Sequence, residues 1–106
     1  MTTTYHGVTI YANPRRSGHV VHSQQFMRLM DEFPDIVWFN VNPVKAPWHI
    51  RAVVNDQVVD AWPCALKAAR MSERAVYGFH AIRGLILETL AEAPDDLELI
   101  DEGDFT

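Results

Sequence analysis

The apolar positions in the first part of the chain change their period once. Between residues 5 and 12 they alternate with polar residues, as in a strand that buries one face. The next apolar residues recur at the three- and four-residue spacing of a helix and form one stripe, namely Phe26, Leu29, Met30 and Phe33. This helix is expected to begin between Ser17 and Ser23, both suitable N-caps, and to stop at Pro34.

Strand patterns return three times in the middle of the chain. Segments 36–41, 48–54 and 57–62 are rich in β-branched and aromatic residues. The pair Asn55-Asp56 between the last two segments is typical of a tight hairpin turn. Because the connections are short, the three strands are predicted to form an antiparallel meander.

A second helix follows the meander. Segment 63–71 fits a short helix or an irregular connector equally well, and Ser72 is the expected N-cap of a helix that runs to about Glu92. Gly78 and Gly84 each cost about 1 kcal/mol against alanine inside a helix. We therefore expect them to allow a close approach of this helix to the sheet.

The element order is strand, helix, three strands, helix, with an optional last strand over 97–100. It predicts an α+β fold, a two-layer sandwich with two helices on one face of a mainly antiparallel sheet of four to five strands. The helix–three strands–helix part has the order of double-stranded-RNA-binding domains, and the whole is close to a ferredoxin-like split βαβ. Residues 1–94 are expected to form a single domain, and 95–106 an acidic tail or a short edge strand. An exposed edge there favours a homodimer.

Composition narrows the class of protein. The 106 residues are 48% hydrophobic and 22% charged, which excludes a disordered chain. The single cysteine, Cys64, cannot form an internal disulfide or a cysteine-based zinc cage. There is no run of about 18 apolar residues and no pattern of a signal peptide, so a soluble cytoplasmic protein without a membrane partner is expected.

The net charge of −5 comes from one end of the chain. All nine basic residues precede position 95, and they nearly balance the acids there. The last twelve residues carry six acids and no basic residue: Asp95, Asp96, Glu98, Asp101, Glu102 and Asp104. This segment either keeps the protein in solution, covers a basic patch on its own body, or presents negative charge to a basic protein partner.

The first candidate surface is the loop between the first strand and the first helix. It contains Arg15, Arg16, Ser17, Gly18 and His19. Backbone N–H groups at a helix start and two forked arginine side chains suit an anion, either a phosphate or a carboxylate of a partner. The alternative is a polar loop whose arginines stay solvated or pair with the acidic end.

The second candidate surface is the sheet face away from the helices. Strand alternation places there the four residues Trp38, His49, Arg51 and Asp60, with Val37, Phe39 and Val41 on the helix side. Aromatic and cationic side chains on an uncovered sheet suit base stacking or a protein-binding hot spot. The alternative is that the tryptophans complete the core.

Evidence for catalysis is weak. The chain lacks the phosphate-binding GxxxxGK[ST], HExxH and GxSxG motifs. His19 and His22 can share a helix face but have no third ligand in sequence, and Cys64 lies near no base that can be placed. We therefore predict no metal, no cofactor and no enzymatic activity; an enzyme acting on a phosphorylated small molecule at the Arg15–His19 loop is the minority interpretation.

Two segments, 58–63 and 77–85, resemble small phage-encoded proteins in which a strand ending in an aromatic-Pro pair precedes a helix with Gly and Arg ahead of leucines. The chain departs from them after Pro63, where Cys64-Ala65-Leu66-Lys67-Ala68 replaces their usual Thr-Thr-Gly-Lys-Trp. Such proteins often act by occupying a host protein, and anti-CRISPR inhibitors are among them. The resemblance implies the same mode of action here.

The favoured function is therefore a non-enzymatic small binding protein that occupies a macromolecular partner. That partner is expected to be a protein, such as part of a nucleic-acid-binding complex, and the resemblance adds an inhibitor of a bacterial nuclease or defence complex. The alternative is a nucleic-acid-binding α+β domain that uses the basic loop and the sheet aromatics.

Overall fold

Two antiparallel sheets and two helices make up the fold in the computed structural model, which describes residues 2–71 and 73–92. In chain order the elements are β1 (Thr2–Tyr5), β2 (Val8–Tyr11), α1 (His19–Glu32), β3 (Trp38–Asn40), β4 (Ile50–Val54), β5 (Gln57–Trp62), a 3-10 turn (Pro63–Ala65), β6 (Lys67–Arg70), β7 (Val76–Tyr77) and α2 (Phe79–Ala91). The predicted α+β class with an antiparallel sheet is confirmed. The expected strand over 97–100 and the acidic segment 95–106 lie outside the described residues.

The main sheet is a meander of five strands. Strands β3, β4, β5, β6 and β7 pair with their sequence neighbours in that order, all antiparallel. The predicted hairpin turn at Asn55-Asp56 is present, and both residues have positive φ, 51° and 65°, as a turn between two tightly paired strands requires. Since β1 and β2 form a separate sheet, the split βαβ arrangement of a ferredoxin-like fold is not formed.

The N-terminal strand predicted over 5–12 is a hairpin instead. His6 and Gly7, at φ 50° and 76°, turn the chain back so that β1 pairs with β2 along its whole length. Strand β1 gave no alternating signal because its three threonines are exposed and bury no face. The second helix also begins later than predicted: segment 63–71 contains β6, the chain then forms β7, and Gly78 at φ 97° precedes α2.

Helix α1 starts within the predicted range but with a different cap. Gly18 is the N-cap, at φ 82°, and no side chain caps the helix. Ser23 lies inside the helix, where its hydroxyl donates a hydrogen bond to the Tyr11 carbonyl at 3.3 Å. The helix ends at Glu32, before Pro34, as the sequence predicts.

Both helices pack on one face of the main sheet. Three alanines of the central strands, Ala52, Ala61 and Ala68, are fully buried there together with apolar side chains of both helices. Trp38 belongs to the same core: it is only 5% exposed, and its ring meets the Phe26 ring edge-to-face at 5.3 Å. The prediction that Trp38 lies on the open face is therefore wrong, because β3 turns its largest side chain toward α1.

Asn40 joins the N-terminal hairpin to the main sheet. Its carboxamide oxygen accepts a hydrogen bond from the Thr9 N–H at 3.0 Å, and its amide nitrogen donates to the Thr9 carbonyl at 2.8 Å. The Asn40 side chain thus satisfies the N–H and the carbonyl of Thr9, which a neighbouring strand would otherwise have to pair with.

We expect Gly84→Ala to stabilise the protein by about 0.5–1 kcal/mol, because glycine inside a helix loses more chain entropy than alanine. Gly84 lies inside α2 and is exposed, and a Cβ added there meets no atom within 4 Å. The predicted close approach at Gly84 is therefore wrong. Urea unfolding measures the change; a loss of stability would show that the helix is packed more tightly than the structure has it.

Candidate binding surfaces on the open sheet face

The open face of the main sheet carries cross-strand rows set by the strand register. The central row crosses strands β3 to β6 and consists, in order, of Phe39, Arg51, Asp60 and Ala69. Of the four residues predicted here, the structure brings together His49, Arg51 and Asp60, while Phe39 occupies the place expected for Trp38.

Asp60 is the centre of an ion cluster on this face. One oxygen, Oδ1, accepts hydrogen bonds from Arg51 Nε at 2.8 Å and from His49 Nε2 at 2.7 Å. Partial burial acts to raise the pKa of Asp60, but the hydrogen bonds and charges of Arg51 and His49 outweigh it and the pKa is lowered. The carboxylate is therefore ionised at neutral pH and neutralises Arg51.

An aromatic and cationic row follows at one end of the face. Trp62, Lys67 and Tyr77 lie opposite one another on β5, β6 and β7. The His49 ring stacks on Trp62 at 4.9 Å with an interplanar angle of 8°. Lys67 Nζ lies over the Trp62 ring at 4.6 Å and over the Tyr77 ring at 5.8 Å. Cation–π attraction thus positions the Lys67 ammonium without neutralising it.

The other end of the face is apolar. Val53 and Val58 lie opposite each other on β4 and β5. Val37 and Met71, which continue the alternation of β3 and β6, are strongly exposed, as is Val53. The open face therefore grades from an apolar end through a neutralised ion cluster to a cationic, aromatic end.

The predicted anion-binding loop is organised by Asn13. Its side-chain oxygen accepts the Arg15 N–H at 3.0 Å, its carbonyl accepts the Arg16 N–H at 3.0 Å, and its own N–H donates to His19 Nδ1 at 3.2 Å. The backbone at the end of this loop has a positive φ, which favours glycine at position 18. A Cβ there would also lie 2.9 Å from the His22 ring. Ser17 is exposed. Neither loop arginine forms a salt bridge within the described residues.

A cleft joins this loop to the sheet. It has a volume of about 350 Å³, and its walls include Arg16 and His19 from the loop and Trp48, Trp62 and Lys67 from the sheet side. Two separate surfaces were predicted from the sequence, with no indication that they meet. They meet because Pro63–Ala65 forms a 3-10 turn and Leu66 adopts φ 49°, so that the chain reverses and Lys67 returns opposite Trp62.

Cys64 also lines this cleft but is buried. Burial raises the pKa of its thiol. A backbone hydrogen bond and the charge of the nearby Arg16 act to lower this pKa, but their effect is smaller. The thiol is therefore protonated at neutral pH and is a poor nucleophile. Within residues 2–71 and 73–92, no three histidine, cysteine or acidic side chains come together as a metal site. In the same part of the chain, neither helix is long and apolar enough to cross a membrane.

Comparison with protein-family models, with curated protein sequences and with solved structures finds no match to this chain. The resemblance to small phage-encoded proteins gains no support from these comparisons and stays a prediction. Function is therefore argued from the surfaces themselves.

Proposed function

We propose that the chain is a non-enzymatic binding protein that recognises a protein partner through the open face of its main sheet. The observation that carries this proposal is the exposure of five large apolar side chains on that one face, from 45% to 75%: Val37, Phe39, Val53, Met71 and Tyr77. The solvated face of an antiparallel sheet is usually polar. Large exposed apolar side chains at both ends and in the central row of this face instead suit burial against a partner.

The charge at the middle of the face favours a protein over nucleic acid. Arg51 at its centre is neutralised by Asp60, so the middle of the face offers no free cation to a phosphate backbone. An aromatic ring beside an arginine is the usual composition of a hot spot in protein interfaces, and Phe39 lies directly opposite Arg51.

The acidic composition of segment 95–106 supports the proposal that the partner is a basic protein. Its six acidic residues, together with the apolar face, fit a protein that has both an apolar patch and a cationic surface. A subunit of a nucleic-acid-binding complex has such a surface, and occupying it would inhibit that complex. The action as a phage-encoded inhibitor rests on the sequence resemblance alone.

A matched pair of double variants tests the face. Phe39→Ala/Tyr77→Ala removes two apolar side chains from it, whereas Leu87→Ala/Leu90→Ala removes two from α2 that are 41% and 46% exposed. Each variant is used, with the wild type, to recover partners from bacterial lysate with and without nuclease. We expect the first to reduce recovery of a stoichiometric protein by about tenfold or more, and the second to leave it unchanged.

Equal recovery by both variants would overturn the assignment of the face. Loss of all bound protein after nuclease treatment would favour the nucleic-acid-binding alternative instead. Removing residues 95–106 separates the two further: it should weaken binding to a basic protein but strengthen binding to nucleic acid, since it removes charge of the same sign as phosphate.

A further inference from the structure

The cleft between the Arg15–His19 loop and the sheet adjoins the cationic, aromatic end of the open face. Its volume of about 350 Å³ lies within the range of small-molecule sites. It is built from three parts of the chain, namely the segment from the end of β2 to the start of α1, the segment before β4, and the 3-10 turn with its flanking strands.

The cleft is cationic because nothing in its walls neutralises its positive side chains. Arg16 and Lys67 line it, no acidic side chain does, and neither cation forms a salt bridge within the described part of the chain. By contrast, Arg51, Arg70 and Arg83 each pair with at least one carboxylate. An anion entering the cleft therefore meets two charges that no described residue pairs with in a salt bridge.

His19 adds a hydrogen-bond donor. Its Nδ1 accepts the Asn13 N–H at 3.2 Å, so in the neutral ring the proton is on Nε2. A histidine whose tautomer is set in this way can donate to an oxyanion without being charged.

The walls are also aromatic. Trp48 is 44% exposed and meets the Tyr11 ring edge-to-face at 6.4 Å, and both line the cleft. Trp62, stacked on His49, forms a further wall. Indole rings beside unpaired cations are the combination that holds a base and its phosphate.

We propose that this cleft binds a nucleoside phosphate, with the phosphate held by Arg16, Lys67 and His19 and the base stacked on Trp48. The phosphate can belong to a free nucleotide or to the 5′ end of a single strand. The cleft shares Trp62 and Lys67 with one end of the open face, whereas Phe39 in the central row does not line it.

Titration with AMP, followed by tryptophan fluorescence and calorimetry, tests the proposal. Arg16→Gln should weaken AMP binding by about tenfold, as loss of one charge-assisted contact does. Arg15→Gln makes the same charge change at a neighbouring exposed residue that does not line the cleft, and it should change binding less than twofold. Trp48→Ala should weaken AMP binding but leave inorganic phosphate binding as it was.

The ligand comparison separates the sources. If AMP and a 5′-phosphorylated oligonucleotide bind with equal affinity, the ligand is the terminal nucleotide. If the oligonucleotide binds with much higher affinity than AMP, the ligand is a single strand. Inorganic phosphate binding as tightly as AMP would overturn the role of the tryptophan. No binding of AMP at millimolar concentration, or equal effects of the Arg15 and Arg16 variants, would overturn the site. The single variant Phe39→Ala, at a residue that does not line the cleft, tests the protein partner separately: it should reduce partner recovery and leave AMP binding unchanged.

Discussion

Trp38→Ala is expected to lower the free energy of unfolding by about 3–5 kcal/mol. The Trp38 ring is 5% exposed and packs edge-to-face on Phe26, which is fully buried. Its removal leaves a large cavity between β3 and α1 that the surrounding side chains can fill only in part. Urea unfolding followed by circular dichroism measures the loss.

The control is Trp48→Ala, since Trp48 is 44% exposed and its truncation should cost about 1 kcal/mol or less. Where Trp38→Ala is too unstable to purify, Trp38→Phe keeps an aromatic ring in the core and is expected to cost about 1–2 kcal/mol. Similar losses for Trp38→Ala and Trp48→Ala would mean that β3 presents its other side to the core, as the sequence pattern suggested.

Asp60→Asn is expected to destabilise the protein by about 2 kcal/mol at pH 7, because it weakens hydrogen bonds that two donors make to a charged acceptor. The carboxylate is 17% exposed and accepts from Arg51 and His49. Its pKa is lower in the folded protein than its usual value of 3.8. The stabilisation is therefore fully present above about pH 4 and is lost as the pH falls through the folded pKa.

Unfolding of wild type and Asp60→Asn in urea between pH 3 and pH 7 measures this directly. The difference in stability between the two proteins should narrow on the acid side of pH 4, because the wild-type carboxyl then takes up a proton. The matched control is Asp56→Asn, an exposed turn residue at φ 65°, where asparagine is also tolerated. A difference between wild type and Asp60→Asn that stays constant across this range would contradict the charged cluster.

The sequence pattern located elements better than it assigned their faces. Strand β5 has the predicted bounds, and α1 ends before Pro34, since both depend on local signals. The face of β3 could not be assigned because apolar residues occupy both sides of the segment, with Val37 and Phe39 alternating with Trp38. Period two then fixes which residues share a side but not which side is buried.

The sites were predictable only in part, for a similar reason. His49, Arg51 and Asp60 share a face because strand alternation and the hairpin turn at Asn55-Asp56 fix the register. The cleft depends on the reversal at Leu66, a residue without the glycine that usually marks a positive φ. No local sequence pattern indicates that reversal. The position of Lys67 beside the Arg15–His19 loop was therefore not predicted.

The carboxamide of Asn40 has a consequence for self-association. A sheet edge with a row of free N–H and C=O groups can recruit a strand from another molecule and start an aggregate. At β3, the N-terminal hairpin already lies beside the edge and is fixed there by Asn40 through Thr9. A side chain can saturate one residue but cannot template a ladder, so this contact holds β2 beside β3 without joining the two sheets into one. Another chain that approaches β3 from this side would therefore first meet the N-terminal hairpin, which Asn40 holds in its way.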